Sequence, residues 1–182
     1  MSDLLFYTLL IIRLSAPPLV FNYIHPFYAM IIDELVLDGF IAPHHVFRRF
    51  VNPKFHPNRK RHYDIPLDLW GFICSAIPLI CKKHKYYPVF EGFREFLLFL
   101  LAYRTIGIML VYPKHSMEHL KFFPNLYIGA YLAVSGCYLL KIKNSGTIIA
   151  AMLGCMAIFY VRELHLIQIN KDMPSSQEYH QY

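Results

Sequence analysis

The chain has 182 residues, of which 56% are hydrophobic and 16% are charged, whereas soluble domains average about 25% charged residues. Because the apolar residues come in long blocks, a single core bounded by water is hard to build, and the composition indicates a membrane protein. The net charge of +6 then indicates basic loops facing an anionic membrane surface, and no nucleic-acid partner. All four cysteines lie inside apolar blocks, which argues against a disulfide framework.

The apolar blocks predict an all-α fold, a polytopic membrane bundle of about six transmembrane helices. A bilayer core of about 30 Å requires about 20 helical residues. We expect residues 1–169 to form one transmembrane domain and residues 170–182 a polar C-terminal tail. The six blocks run over residues 4–24, 27–42, 65–81, 89–112, 122–140 and 146–167.

The first two blocks are irregular, and a basic loop follows them. The first block contains Arg13 and the pair Pro17–Pro18, which predict a bend or an interfacial start. The second block is too short for a full crossing. The basic loop over residues 43–63 should face the cytoplasm by the positive-inside rule. With six crossings, both termini would then be cytoplasmic as well.

Acidic residues gather on the second block and at the start of the third. Glu34 and Asp38 are four residues apart, as are Asp64 and Asp68, so each pair shares one helical face. Asp33 is five residues before Asp38 and fits that face less well. Two helices joined by a cytoplasmic loop would bring the acids together. They would then need protons, loop cations or a hard divalent metal. The simpler alternative is that they lie at the water interface and pair with loop arginines.

Three short segments carry a resemblance to a known family. The segment Asp38–Ala42 reads D-G-x-x-A, and Asp64–Asp68 reads D-x-x-x-D. The stretch Leu9–Pro17 is rich in leucine and isoleucine and contains Arg and Pro. Over about residues 5–70 the sequence therefore resembles the CDP-alcohol phosphatidyltransferases, six-helix membrane enzymes that join a CDP-linked group to an alcohol and release CMP. The chain departs from the family motif where Leu35, Pro43 and Lys60 replace an Asp, an Arg and a Gly.

The resemblance implies a metal-dependent site at the cytoplasmic face. One or two Mg²⁺ or Mn²⁺ ions would neutralise the CDP pyrophosphate, and Asp68 would accept the proton of the acceptor alcohol. A glycine would let the nucleotide approach the backbone, and loop arginines would contact phosphates. The implied metal ligands are Glu34, Asp38, Asp64 and Asp68, and the implied nucleotide contacts are Gly39, Arg48 and Arg49.

Two further functions stay open beside the membrane enzyme. The motif departures favour a non-catalytic structural or assembly subunit of a membrane complex. A small channel or transporter is the least favoured, because the chain has no internal repeat. The expected partners are the lipid bilayer, a CDP-linked lipid substrate, and a second copy or the subunits of a membrane complex. In the later blocks, Arg104 should face the bundle interior and pair with an acid or a lipid phosphate, whereas Glu163 should extend into water.

Overall fold

The computed structural model describes residues 2–37, 57–111 and 121–171 of the chain. These residues form helices and their connections, without a strand among them, which confirms the predicted all-α fold for this part of the chain. The chain divides into two compact units, Met1–Glu91 and Gly92–Tyr182. Whether the chain forms one transmembrane domain stays a prediction.

The described residues of the first unit form three α-helices, and those of the second unit form three more. In the first unit, the short second helix continues directly into a π-helical turn, and a 3₁₀ turn follows the third helix. The elements are α1 (Ser2–Tyr23), α2 (Pro26–Ile31), the π-helical turn (Ile32–Leu37), α3 (Pro57–Ile80), the 3₁₀ turn (Tyr87–Phe90), α4 (Arg94–Val111), α5 (Leu126–Leu139) and α6 (Ser145–Lys171).

Helix α1 continues through its two prolines because another helix supplies a missing hydrogen bond. Pro18 has no N–H, so it cannot donate to the carbonyl of Leu14 four residues before it. The indole Nε1 of Trp70 in α3 donates to that carbonyl oxygen instead, at 2.8 Å. The α1–α3 contact therefore satisfies a backbone group that the sequence of α1 leaves open.

Helix α3 begins at Pro57, eight residues before the predicted start at residue 65. The prediction that the basic loop extends to residue 63 is therefore wrong for residues 57–63. Proline suits the first turn of a helix, where its missing N–H costs nothing. Lysine and arginine are good helix formers, so the helix extends beyond the apolar block that hydropathy identifies.

The helices differ in how well they suit a bilayer. Within residues 2–37, 57–111 and 121–171, one segment, Ser145–His165, is long and apolar enough to cross a membrane. Two apolar segments are shorter, Leu67–Ile80 and Leu126–Leu139, and at 1.5 Å per residue each covers only about 21 Å. The predicted six complete crossings stay a prediction.

A buried ion pair joins α4 to α6 in the second unit. Arg104 Nη2 lies 2.7 Å from Glu163 Oε1, and Arg104 Nη1 donates to the carbonyl oxygen of Phe123 at 2.6 Å. The prediction that Arg104 pairs with an acid is confirmed. The prediction that Glu163 extends into water is wrong, because the Glu163 side chain is only 14% exposed.

Candidate functional site

Three charged side chains from three helical segments meet inside the first unit. Arg13 lies in α1, Asp33 in the π-helical turn and Asp68 in α3. The Arg13 guanidinium pairs with the Asp33 carboxylate through Nη1, and its Nη2 lies 3.5 Å from Asp68 Oδ1. The Arg13 guanidinium therefore links Asp33 in the π-helical turn to Asp68 in α3. We call these three residues the charge cluster.

The members of the charge cluster differ sharply in burial. The side chains of Arg13 and Asp33 are each 3% exposed, whereas that of Asp68 is 38% exposed. Removing two charges from water costs several kcal/mol per ion, and their pairing offsets that cost only when the geometry is good. Arg13 and Asp33 thus form the buried part of the cluster, and Asp68 is the member that solvent can reach.

Local backbone features bring Asp33 to this position. The segment Ile32–Leu37 is π-helical, a rare form that places residues five apart, rather than four, on one face and that recurs at functional sites. Across the interface, a side-chain carbon added to Gly71 would overlap the Asp33 carboxylate. Glycine at position 71 therefore lets α3 approach Asp33 closely.

Helices α1 and α3 run in the same direction, and the charge cluster lies at the start of the apolar part of α3. Trp70 bonds to Leu14 beside the cluster. Beyond the end of α3, Lys85 Nζ in the following loop donates to the carbonyl oxygen of Tyr23, the last residue of α1, at 3.0 Å. Ten residues separate Arg13 from Tyr23, which corresponds to about 15 Å of helix. Asp68 lies at the start of the apolar segment Leu67–Ile80, where the charged first part of α3 ends.

The structure bears on only part of the predicted site. Asp68 belongs to the charge cluster, and Glu34 is half-buried in the π-helical turn. Asp64 lies in α3, but its side chain is outside the described part of the structure. The remaining predicted residues, which lie outside the described residues altogether, are Asp38, Gly39, Arg48 and Arg49.

Sequence analysis did not identify the centre of the cluster. A lone arginine in the middle of an apolar block needs a partner, and this signal could have identified Arg13, which we interpreted only as a sign of a bend or an interfacial start. Asp33 was set aside because we assumed a regular α-helix, in which residues five apart diverge. The segment Ile32–Leu37 is π-helical instead, and no pattern in the second block predicts this.

The donors of the cluster do not by themselves fit a divalent cation. Arg13 already neutralises Asp33, and among the residues that the structure describes no group of three His, Cys, Asp or Glu side chains could hold a metal ion. Asp68 offers one accessible carboxylate. A Mg²⁺ or Mn²⁺ site would therefore require Asp38 and Asp64 as further ligands, and metal binding stays a prediction.

No protein-family model matches the sequence, and neither a curated protein nor a solved structure is significantly similar to it. The resemblance to CDP-alcohol phosphatidyltransferases therefore rests on the motifs in about residues 5–70 alone.

Proposed function

We propose that this chain is a polytopic membrane enzyme that resembles CDP-alcohol phosphatidyltransferases and uses Asp68 as its catalytic base. One observation carries the proposal: Arg13 and Asp68, from two of the three segments that carry the resemblance, lie against each other. Arg13 also pairs with Asp33, five residues before the third segment. Motif residues far apart in sequence are expected to converge if they serve one site.

The exposure of Asp68 supports a site that is open to substrate. A half-exposed carboxylate facing hydrocarbon would be costly, so this face of α3 must adjoin water or lipid headgroups. The apolar part of α3 is only about 21 Å long and begins next to Asp68. An aqueous or headgroup-lined approach from the charged end of α3 satisfies both features.

The proposed reaction uses Asp68 as a general base. The hydroxyl oxygen of the acceptor alcohol attacks the phosphorus that carries the donor group, and its proton passes to the Asp68 carboxylate. The bond from that phosphorus to the bridging oxygen breaks, and CMP leaves with the electron pair. Arg13 holds Asp68 in place through its second nitrogen. A divalent cation, when bound, would neutralise the pyrophosphate charge.

The proposed location is a multi-pass membrane protein with both termini in the cytoplasm. The segment Ser145–His165 supports membrane insertion by its length and composition. The basic residues of the segment 43–63 support the orientation through the positive-inside rule.

Release of CMP tests the enzymatic proposal. Purified full-length protein in detergent with Mn²⁺ or Mg²⁺ should release CMP from a CDP-linked lipid in the presence of an alcohol acceptor. Asp68→Asn should lower the rate by about 100-fold or more, as loss of a general base does. Glu95→Gln, at an exposed position in α4, is the matched control and should keep full activity. A folded, monodisperse protein that releases no CMP across a panel of donors and acceptors would refute the proposal.

The second candidate is a non-catalytic subunit of a membrane complex, and the Arg13–Asp33 pair favours it. Arg13 supplies a counter-charge for both acids, so the charge cluster can be explained without any substrate. Under this alternative, Asp68→Asn leaves yield and assembly unchanged, and stable partner subunits co-purify with the chain. A protein that is fully active in the absence of partners excludes it.

A further inference from the structure

A second polar cluster lies where the turn between α1 and α2 meets the loop that follows α3. His25 belongs to the turn, and His84 and Tyr86 belong to the loop. The Tyr86 ring contacts both imidazoles, with centroid distances of 5.4 Å to His25 and 5.7 Å to His84. Together with Lys85, we call these residues the imidazole cluster.

Both imidazoles accept a backbone hydrogen bond through the same ring nitrogen. His25 Nδ1 accepts from the N–H of Phe27 at 3.3 Å and thereby caps α2. His84 Nδ1 accepts from the N–H of Tyr86, also at 3.3 Å. A protonated imidazole has two donors and no acceptor. Protonation would therefore replace each hydrogen bond by a contact between two N–H groups.

The surroundings of the two imidazoles would oppose a new positive charge. Lys85 Nζ lies 4.6 Å from the Tyr86 ring centroid and ties the loop to the turn through the Tyr23 carbonyl oxygen. From α2, the Tyr28 ring lies edge-on to His25 at 6.3 Å. The other titratable groups between the end of α3 and residue 87 are Cys81, Lys82 and Lys83, which are exposed, and Tyr87, which is half-buried.

We propose that the imidazole cluster is an acid-sensitive contact, which holds the α1–α2 turn against the loop after α3 at neutral pH and releases it on acidification. The turn and the loop also share the Lys85–Tyr23 hydrogen bond. Two new charges beside Lys85 would weaken that bond as well. This inference does not depend on the proposed enzymatic function.

The direction of the pH effect follows from burial. Burial lowers the pKa of His25 below its ordinary value of 6.5, and burial together with the charge of Lys85 lowers the pKa of His84. The unfolded chain therefore binds these protons more tightly than the folded chain does. The two neutral imidazoles therefore make their full contribution to the free energy of unfolding above about pH 6.5. This contribution is lost as the pH falls from that value towards the lower pKa of the folded state.

The test compares thermal unfolding of the full-length protein in detergent between pH 7.5 and 5. In the double variant His25→Asn/His84→Asn, each asparagine side chain can still accept a hydrogen bond from the backbone N–H two residues later, because asparagine forms this kind of turn. Asparagine has no group that titrates in this pH range. His165→Asn, at an exposed position in α6, is the matched control. We expect Tm to fall on acidification for the wild type and the control, and by less than half as much for the double variant.

Two results would overturn the inference. One is a double variant whose Tm falls with pH as steeply as that of the wild type. The other comes from the wild-type protein alone and does not require that any variant fold. If NMR titration of ¹⁵N-labelled imidazoles shows either His25 or His84 titrating at or above pH 6.5, the cluster does not resist protonation.

Discussion

Breaking the buried ion pair of the charge cluster should cost far more stability than removing its exposed acid. Asp33→Asn leaves the buried Arg13 guanidinium beside Asp68, which is 3.5 Å from Nη2. Arg13→Met leaves the buried Asp33 carboxylate without that cation. Asp68→Asn removes only the longer and more exposed contact. All three substitutions keep the approximate size of the side chain, so they change charge more than packing.

The magnitudes follow from burial. Removing one partner of a buried pair costs about 3–5 kcal/mol, and Arg13 and Asp33 are each 3% exposed. The Asp68 side chain is 38% exposed, and pairs of that kind contribute about 0–1 kcal/mol. The double variant Arg13→Met/Asp33→Asn removes both buried charges, so its loss should be clearly smaller than the sum of the single losses. The coupling should reach about 1–3 kcal/mol.

Unfolding by SDS in mixed micelles measures these differences. Trp70 is the only tryptophan in the chain and bonds to Leu14 beside the cluster, so its fluorescence reports the α1–α3 contact. Glu95→Gln should change the unfolding free energy by less than about 0.5 kcal/mol. Two results would refute the reasoning: equal losses for Asp33→Asn and Asp68→Asn, or single losses that simply add in the double variant.

Three further predictions concern packing, backbone satisfaction and membrane insertion. Gly71→Ala should lower the unfolding free energy by about 1–3 kcal/mol, because the new methyl group would overlap the Asp33 carboxylate; unchanged stability by SDS titration would contradict this. Trp70→Phe should lower the unfolding free energy by about 1–3 kcal/mol, because the Leu14 carbonyl oxygen loses its hydrogen-bond donor. An unchanged unfolding free energy, measured by circular dichroism during SDS titration, would contradict this. Membranes washed with alkaline carbonate should retain the protein, since the segment Ser145–His165 suits a crossing; release into the supernatant would count against membrane insertion.

The sequence alone predicted the helical class and most helix positions, because long apolar blocks usually form helices. It predicted that Arg104 pairs with an acid or a lipid phosphate, since a lone charge among apolar residues requires a partner. It did not identify Glu163 as that partner, because an acid near the end of a block is normally solvated. Which of several acids pairs with a buried arginine depends on helix packing, which hydropathy does not encode.

The charge cluster shows the same limit at the candidate site. Asp68 was predicted from its D-x-x-x-D spacing, and it lies in the cluster. Asp33 was judged to fit the face of Glu34 and Asp38 less well, and that judgement stays a prediction because Asp38 lies outside the described residues. Asp33 nevertheless pairs with Arg13 in the cluster. The role of Gly71 depends on a contact between two helices more than 30 residues apart in sequence. Such a contact leaves no local pattern.

The central claim is tested most directly by measuring activity and stability on the same preparation of Asp68→Asn. The account predicts that CMP release falls by about 100-fold or more, while the unfolding free energy changes by about 1 kcal/mol or less. Such a result would show that Asp68 takes part in the reaction, whereas the buried Arg13–Asp33 pair stabilises the fold. An Asp68→Asn protein that keeps wild-type CMP release, or that loses several kcal/mol of stability, would contradict the account.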